Sequence, residues 1–349
     1  AGPFRRDRRI IFTKEDTLIT KSRILALAAL TAASIATGFA EAKTLKIATD
    51  SGAKGSPAGN AIEEWAKAIT EGTNGEIDLA IYYQNELGGQ QEVFDLHVAG
   101  DVDLMLNWPM TSYDKRIAVI YTPYMFTTWE EALEAYKPGG WLNSMLDGIY
   151  ADMGLKFFGA WPEGFNGVGT KGSYATNVDA AKSIKVRVPP VFPFHETIQA
   201  MGYQTATVDW GELYSAIQTG VVDGDAANVI FYELEYFGDI LDYYVRSKQQ
   251  FITGMLTMNL EEWEQLTPEQ QKVVQDAATA VMEKQFNEAR AQDEGYAEQW
   301  KAKGNTYVEP TDEELGALAK TVREAVWPQM ENEVGADLMQ PIRDNSAKF

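Results

Sequence analysis

Few residues in this chain could carry covalent or metal chemistry. Among its 349 residues there is no cysteine, and there are two histidines, His97 and His195. Thiolate nucleophiles, disulfides, iron–sulfur clusters and Cys-type zinc sites are excluded together. A His-rich catalytic metal site is excluded with them, and a Ser-His-Asp triad could draw only on these two rings. His97 falls in the amphipathic helical stretch 90–98, where a structural role is expected, whereas His195 follows the Pro-rich run 189–194, a loop better suited to function. No GxxxxGK[ST], GxSxG or HExxH pattern occurs. Asp and Glu number 51 against 30 Lys and Arg, so any glycosidase-like carboxylate pair picked from the sequence would be a chance choice.

The formal net charge of −21 argues against nucleic acid as a partner, because phosphate neutralisation needs a basic face. It also means that an anionic small molecule would need a specific local cation to offset the general field. The candidate is Arg187, in Lys185-Val-Arg-Val-Pro189. Strand alternation sets it opposite Val186 and Val188, at the carboxyl end of a strand, where a planar guanidinium can hold a carboxylate bidentately. The alternative is an internal salt bridge with one of the many acids.

The elements that must position these residues alternate between short apolar strands and amphipathic helices. Residues 44–49, 77–83 and 102–106 read as strands, with helices at about 58–72 and 90–98 between them. This order implies a parallel sheet, in which ligands bind beyond the carboxyl ends of strands, and points to the loops after Thr49 and Leu106. A second unit carries strands at 155–158, 168–170, 184–188, 204–208 and 221–228, with helices at 195–201 and 212–219. From Glu261 onward the chain is almost wholly helical, with a start signal at Thr267-Pro-Glu-Gln270 and a long run over 271–303. Ahead of all this, 21–42 shows two basic residues, an apolar run and Ala40-Glu-Ala42, the three-part pattern of a secretory signal peptide, which predicts a mature start at Lys43 and a periplasmic product. The expected organisation is a leader and signal peptide over 1–42, a mainly N-terminal α/β lobe over 43–165, a mainly C-terminal α/β lobe over 166–255, and a helical section over 256–349 packing across both lobes.

Taken together, Gly169-Thr-Lys-Gly172, Ser183-Ile-Lys-Val-Arg-Val-Pro189, Met201-Gly202 and the run 210–224 resemble the solute-binding proteins of tripartite ATP-independent periplasmic (TRAP) transporters. Asn85-Glu-Leu-Gly-Gly89, 99–103 and Thr122-Pro-Tyr-Met-Phe126 fit the same family, so the resemblance covers about 43–340. It implies a binding protein and not an enzyme: a two-lobed α/β flytrap fold with hinge-crossing strands and a helical C-terminal section. It also implies a small carboxylate or zwitterionic ligand, TRAP membrane subunits as partners, and no cofactor. In that family the Arg of the strand motif pairs with the ligand carboxylate, and Arg187 stands at that position. Sialate is disfavoured because no second Arg stands in 165–169. A metal-assisted site is disfavoured because Ala226 and Ala227 stand where metal-using members place a Glu. Asn228 is aligned with the family's ligand-facing Asn, after a one-residue insertion.

Aromatic residues gather at the candidate loops, a setting suited to a ligand with a cationic or apolar body such as an ectoine-like zwitterion. The expected site is Arg187, Trp210, Asn228, Trp161, Phe165, Trp108, Asn107, Phe231, Tyr232 and Asp50, with Trp161 and Trp210 preferred because each abuts a strand end. Trp65 and Trp263 read as structural. Two other classes stay open on residues alone: a periplasmic hydrolase or lyase acting on a small acid, and the binding protein of an ATP-driven transporter.

Overall fold

A computed structural model of the chain describes Gly2 and residues 42–348, so the signal-peptide reading of 21–41 lies outside the described residues. The chain runs through β1 (Lys43–Thr49), α1 (Pro57–Gly72), β2 (Ile77–Tyr82), α2 (Gln90–Ala99) and β3 (Leu104–Asn107), the expected alternation. There follow α3 (Trp129–Tyr136), α4 (Trp141–Asp152), β4 (Leu155–Phe165), β5 (Val168–Thr170), α5 (Val178–Ala181), β6 (Lys185–Val188), α6 (Phe194–Ala200) and β7 (Gln204–Thr207). The remainder comprises α7 (Leu213–Thr219), β8 (Gly224–Asp225), α8 (Ile230–Phe237), β9 (Tyr243–Val245), β10 (Phe251–Asn259), α9 (Leu260–Gln265), α10 (Pro268–Ala302), β11 (Thr306–Val308), α11 (Asp312–Val334) and α12 (Ala336–Asn345). No helix among the described residues is long and apolar enough to cross a membrane.

The strands form two sheets, ordered β2-β1-β3-β10-β4 and β11-β9-β5-β8-β6-β7. In the first, β1 pairs in parallel with β2 and β3, while β10 runs antiparallel between β3 and β4. In the second, β6 lies parallel to both β7 and β8, so the site strand is flanked on each side. The chain crosses between sheets at two adjacent places: after β4, where Phe165 pairs with Phe251, and after β9, on the way back to β10. Asn166 holds these crossings together, its side-chain amide donating to Gln250 Oε1 at 2.8 Å and its Oδ1 accepting from the Gln250 N–H at 2.8 Å.

Local chemistry explains the helices that frame this arrangement. Helix α1 starts where Ser56 accepts the Gly59 N–H, with Pro57 in the first turn, and it buries Ile62, Trp65 and Ile69 along one face. Helix α10 starts at the expected signal, a reciprocal capping box between Thr267 and Gln270. Its buried stripe, from Val274 through Val281 and Ala289 to Trp300, packs on α1 and β4 of the first sheet and on α8 and β11, so one helix reaches across both sheets.

Two strand expectations differ from the structure. Only Gly224–Asp225 of the expected strand 221–228 pairs in the sheet, because Asp225 Oδ2 accepts the N–H groups of Ala227 and Asn228 and turns the chain out of the ladder. The strand read at 155–158 instead continues to Phe165, through register shifts that let Gly159, Pro162 and Gly164 lie within it.

Candidate functional site

Arg187 projects from β6 into the wall of a cavity enclosing about 580 Å³ of empty space, its open mouth included. Arg187 is 2 % exposed. Its Nε donates to the Val208 carbonyl at 2.8 Å and its Nη1 to Asp225 Oδ1 at 3.0 Å. The cation therefore has the internal ion pair that the sequence left open, and it also faces the cavity. Behind Asp225 lies Glu233, wholly buried, whose carboxyl is pushed well up by burial first and then by the neighbouring Asp225 charge. Glu233 accepts from the Asn228 side-chain amide at 3.1 Å, which orients Asn228 at the cavity edge. Trp210 stacks toward Arg187, with the guanidinium carbon 6.0 Å from its ring centroid, and its buried Nε1 has no hydrogen-bond partner.

A second polar group shares the cavity wall. Glu163, near the end of β4, accepts from Trp108 Nε1 at 2.7 Å and is joined to the Tyr232 hydroxyl at 2.8 Å. Burial pushes its carboxyl up to about 8, against the lowering effect of these two hydrogen bonds. The Tyr232 hydroxyl also lies 3.1 Å from the Ser51 carbonyl, and a hydroxyl has one hydrogen to give. With Glu163 protonated, its proton goes to the Tyr232 oxygen and the tyrosine hydrogen to Ser51, so every group is satisfied. The Ser51 hydroxyl separately accepts from Gln90 Nε2 at 2.6 Å.

Of the ten residues expected at the site, Arg187, Trp210, Asn228, Trp108 and Tyr232 line this cavity together. The other five do not. Trp161 packs edge-on behind Trp108, ring centroids 6.4 Å apart, and with Phe231 lines a smaller neighbouring pocket beside α10. Phe165 is core, its ring against Trp129 and Phe251. Asn107 is buried in the first sheet, donating to the Met255 carbonyl and to Thr257. Asp50 sits behind the wall at the Trp108 N–H, and burial raises its carboxyl well above the usual range. Both loops singled out by the parallel-sheet argument do reach the cavity, through Ser51 and Trp108.

Sequence reasoning missed Glu163, Gln90, Tyr121 and Phe194. The last closes the Pro-rich loop before His195 and packs on Tyr121. His195 itself is exposed and pairs with Thr205, while His97 is buried between the Val102 carbonyl and Thr257, the structural role expected of it. Among the described residues no cluster of His, Cys, Asp or Glu is arranged to hold a metal ion.

Residues 48–333 match the family described as bacterial extracellular solute-binding protein, family 7. The ectoine-binding periplasmic protein TeaA of Halomonas elongata is 24% identical over 277 residues, 77% of this chain and 81% of that protein. A TRAP periplasmic solute-binding protein of Chromohalobacter salexigens, solved with bound D-glucuronate, superposes with a TM-score of 0.80 at 20% identity, covering 86% of this chain and 100% of that one. One from Sulfurospirillum deleyianum, solved with succinate, gives 0.77 at 21% identity over 87% and 99%. At such identities the structural likenesses carry the fold, two sheets in a periplasmic-binding-protein arrangement with long C-terminal helices.

Proposed function

We propose a ligand class and an anchor for this chain, which belongs to the DctP family of TRAP-transporter periplasmic solute-binding proteins, receptors that bind solutes without turning them over. The ligand is a small organic carboxylate or zwitterion, and Arg187 takes its carboxylate. The observation that carries this is the division of labour in the guanidinium. Nε and Nη1 are held by Val208 and Asp225, while Nη2 has no protein partner among the described residues, in a wall that also holds the unpartnered Trp210 Nε1. Two N–H donors beside an aromatic wall suit a carboxylate. Relatives named or solved with ectoine, succinate and glucuronate share a carboxylate and little else.

In this reading the two sheets belong to two lobes that close over the ligand about the crossings at Asn166 and Gln250. Closure needs contacts made only in the closed state, and ligand bridging β6 in one sheet and the Ser51 and Trp108 loops of the other supplies them. The export signal over 21–42 delivers the mature chain from Lys43 to the periplasm. TRAP membrane subunits then receive the closed form for ion-gradient-driven uptake. The test is isothermal titration of protein stripped of ligand by unfolding and refolding, against small carboxylates and zwitterions. Arg187→Ala and Arg187→Lys are expected to lose binding with the melting cooperativity kept, and wild-type affinity in both variants would sink the anchor assignment.

A further inference from the structure

The cavity's charges do not balance a second anionic group. Arg187 is the one cation among its lining residues, and Asp225 already pairs with it at 3.0 Å. The other ionisable groups at hand are acids and supply no further cation: Glu163 in the wall and the buried carboxyls of Asp50 and Glu233 behind it. A dicarboxylate would therefore bring a charge with no counter-ion into the site, at a cost that rises steeply as the local dielectric falls. A zwitterion adds no net charge. The part of the cavity wall contributed by the first sheet also suits a cation: the Glu163 carboxyl of β4 is bonded to Trp108 Nε1 and the Tyr232 hydroxyl, and Tyr121 lines the same space. Aromatic faces next to a carboxyl form a common receptor for a positively charged nitrogen.

We propose that Glu163 selects the charge of the ligand, accepting a cationic nitrogen, so that the preferred occupant is a zwitterion with one carboxylate and one positive nitrogen rather than a dicarboxylate or a uronate. This deepens the receptor reading above and rests on it. The empty state is stable because Glu163 then keeps its proton within the Glu163–Tyr232–Ser51 chain of hydrogen bonds, and an arriving cation takes the place of that proton, which is released to solvent through the open mouth of the cavity. The groups facing Glu163 electrostatically are Asp50 from the loop after β1, Tyr121, Tyr232 from α8 and Tyr296 from α10, none of them cationic.

The experiment titrates refolded, ligand-free wild type with ectoine, glycine betaine and proline, and separately with succinate, malate and glucuronate. The tightest zwitterion is expected to bind at least tenfold more tightly than any of the acids. Glu163→Gln, which keeps the side-chain shape, is expected to weaken that zwitterion tenfold or more and to leave or improve binding of the acids. An acid that binds more tightly than every zwitterion in wild type overturns the inference and leaves the receptor reading standing, as does a Glu163→Gln variant with unchanged zwitterion affinity. A refolded chain that binds nothing from either group overturns the receptor reading, and this inference falls with it.

Discussion

Replacing Glu163 by Gln should raise the stability of the ligand-free protein, by an amount that depends on pH. The folded carboxyl titrates at about 8, against an ordinary value of 4.5. Between those values the folded chain holds a proton that the unfolded chain has released, so stability is fully present below 4.5 and falls as pH rises toward 8, by about 1.4 kcal/mol per pH unit. At pH 7 the accumulated loss is at most about 3 kcal/mol, reduced by whatever water the open cavity admits. Gln does not titrate, still offers Trp108 an acceptor, and can donate to the Tyr232 oxygen while the tyrosine hydrogen goes to Ser51. The variant should therefore melt roughly 5 °C above wild type at pH 7. The gap should close below pH 4.5, where both chains become neutral at this position in either state. Thermal melts followed by circular dichroism at several pH values, on refolded ligand-free protein, measure it. A gap that is independent of pH, or a variant that melts lower throughout, would refute the argument that burial holds this carboxyl neutral.

Other consequences follow from the same structure. Trp210→Phe keeps the ring beside Arg187 but removes the unpartnered Nε1, and titration calorimetry should show about tenfold weaker ligand binding with little change in melting temperature. The buried Arg246–Asp293 pair ties β9 to α10, with Tyr307 as a further partner of the arginine, so Asp293→Ala should cost roughly 3–5 kcal/mol in urea unfolding. A loss below 1 kcal/mol would remove the pair from the account of how α10 is held. His97, lowered to about 4 by burial, stays neutral in the fold; its contribution is present above its ordinary value of 6.5 and is lost as pH falls toward 4. Wild type should therefore lose about 3 kcal/mol more than His97→Gln across that window, read from urea unfolding at both ends.

What could be read from the sequence was whatever depended on local patterning. The β1–α1–β2–α2–β3 order, the loops that reach the site and the Thr267 capping box all follow from periodicity and end signals within a few residues. Arg187 was picked out by alternation in a short strand, which puts its charge opposite Val186 and Val188, but that pattern left an internal salt bridge equally open until the family resemblance was read with it. Glu163 was hidden because β4 is irregular, with Gly159, Pro162 and Gly164 breaking the strand pattern. What holds it straight is β10, about ninety residues later, and no local rule anticipates a partner at that distance. Aromatic side chains were the other difficulty. Trp108 and Phe165 lie at strand ends and Trp161 within β4, yet of the three only Trp108 reaches the cavity, and which ring faces inward is decided by packing against α10 and β10.

The ion pair within the site also bears on how a receptor can both hold and release its solute. A buried guanidinium without a partner would cost several kcal/mol in the empty protein, and the ligand would be trapped by the relief of that cost. Asp225 removes most of it, since Nη1 is already bound and the pair is shielded from water. Burial first, and then the neighbouring Asp225 charge, push the Glu233 carboxyl well up, which disfavours a second negative charge beside the guanidinium. A carboxylate that binds at Nη2, as proposed, would therefore gain one directional, charge-assisted contact rather than the whole solvation energy of an arginine. In the proposed reading, selectivity would come from Glu163, which would exchange its proton for a cation, while Arg187 would set a carboxylate contact weak enough to be broken when the lobes part.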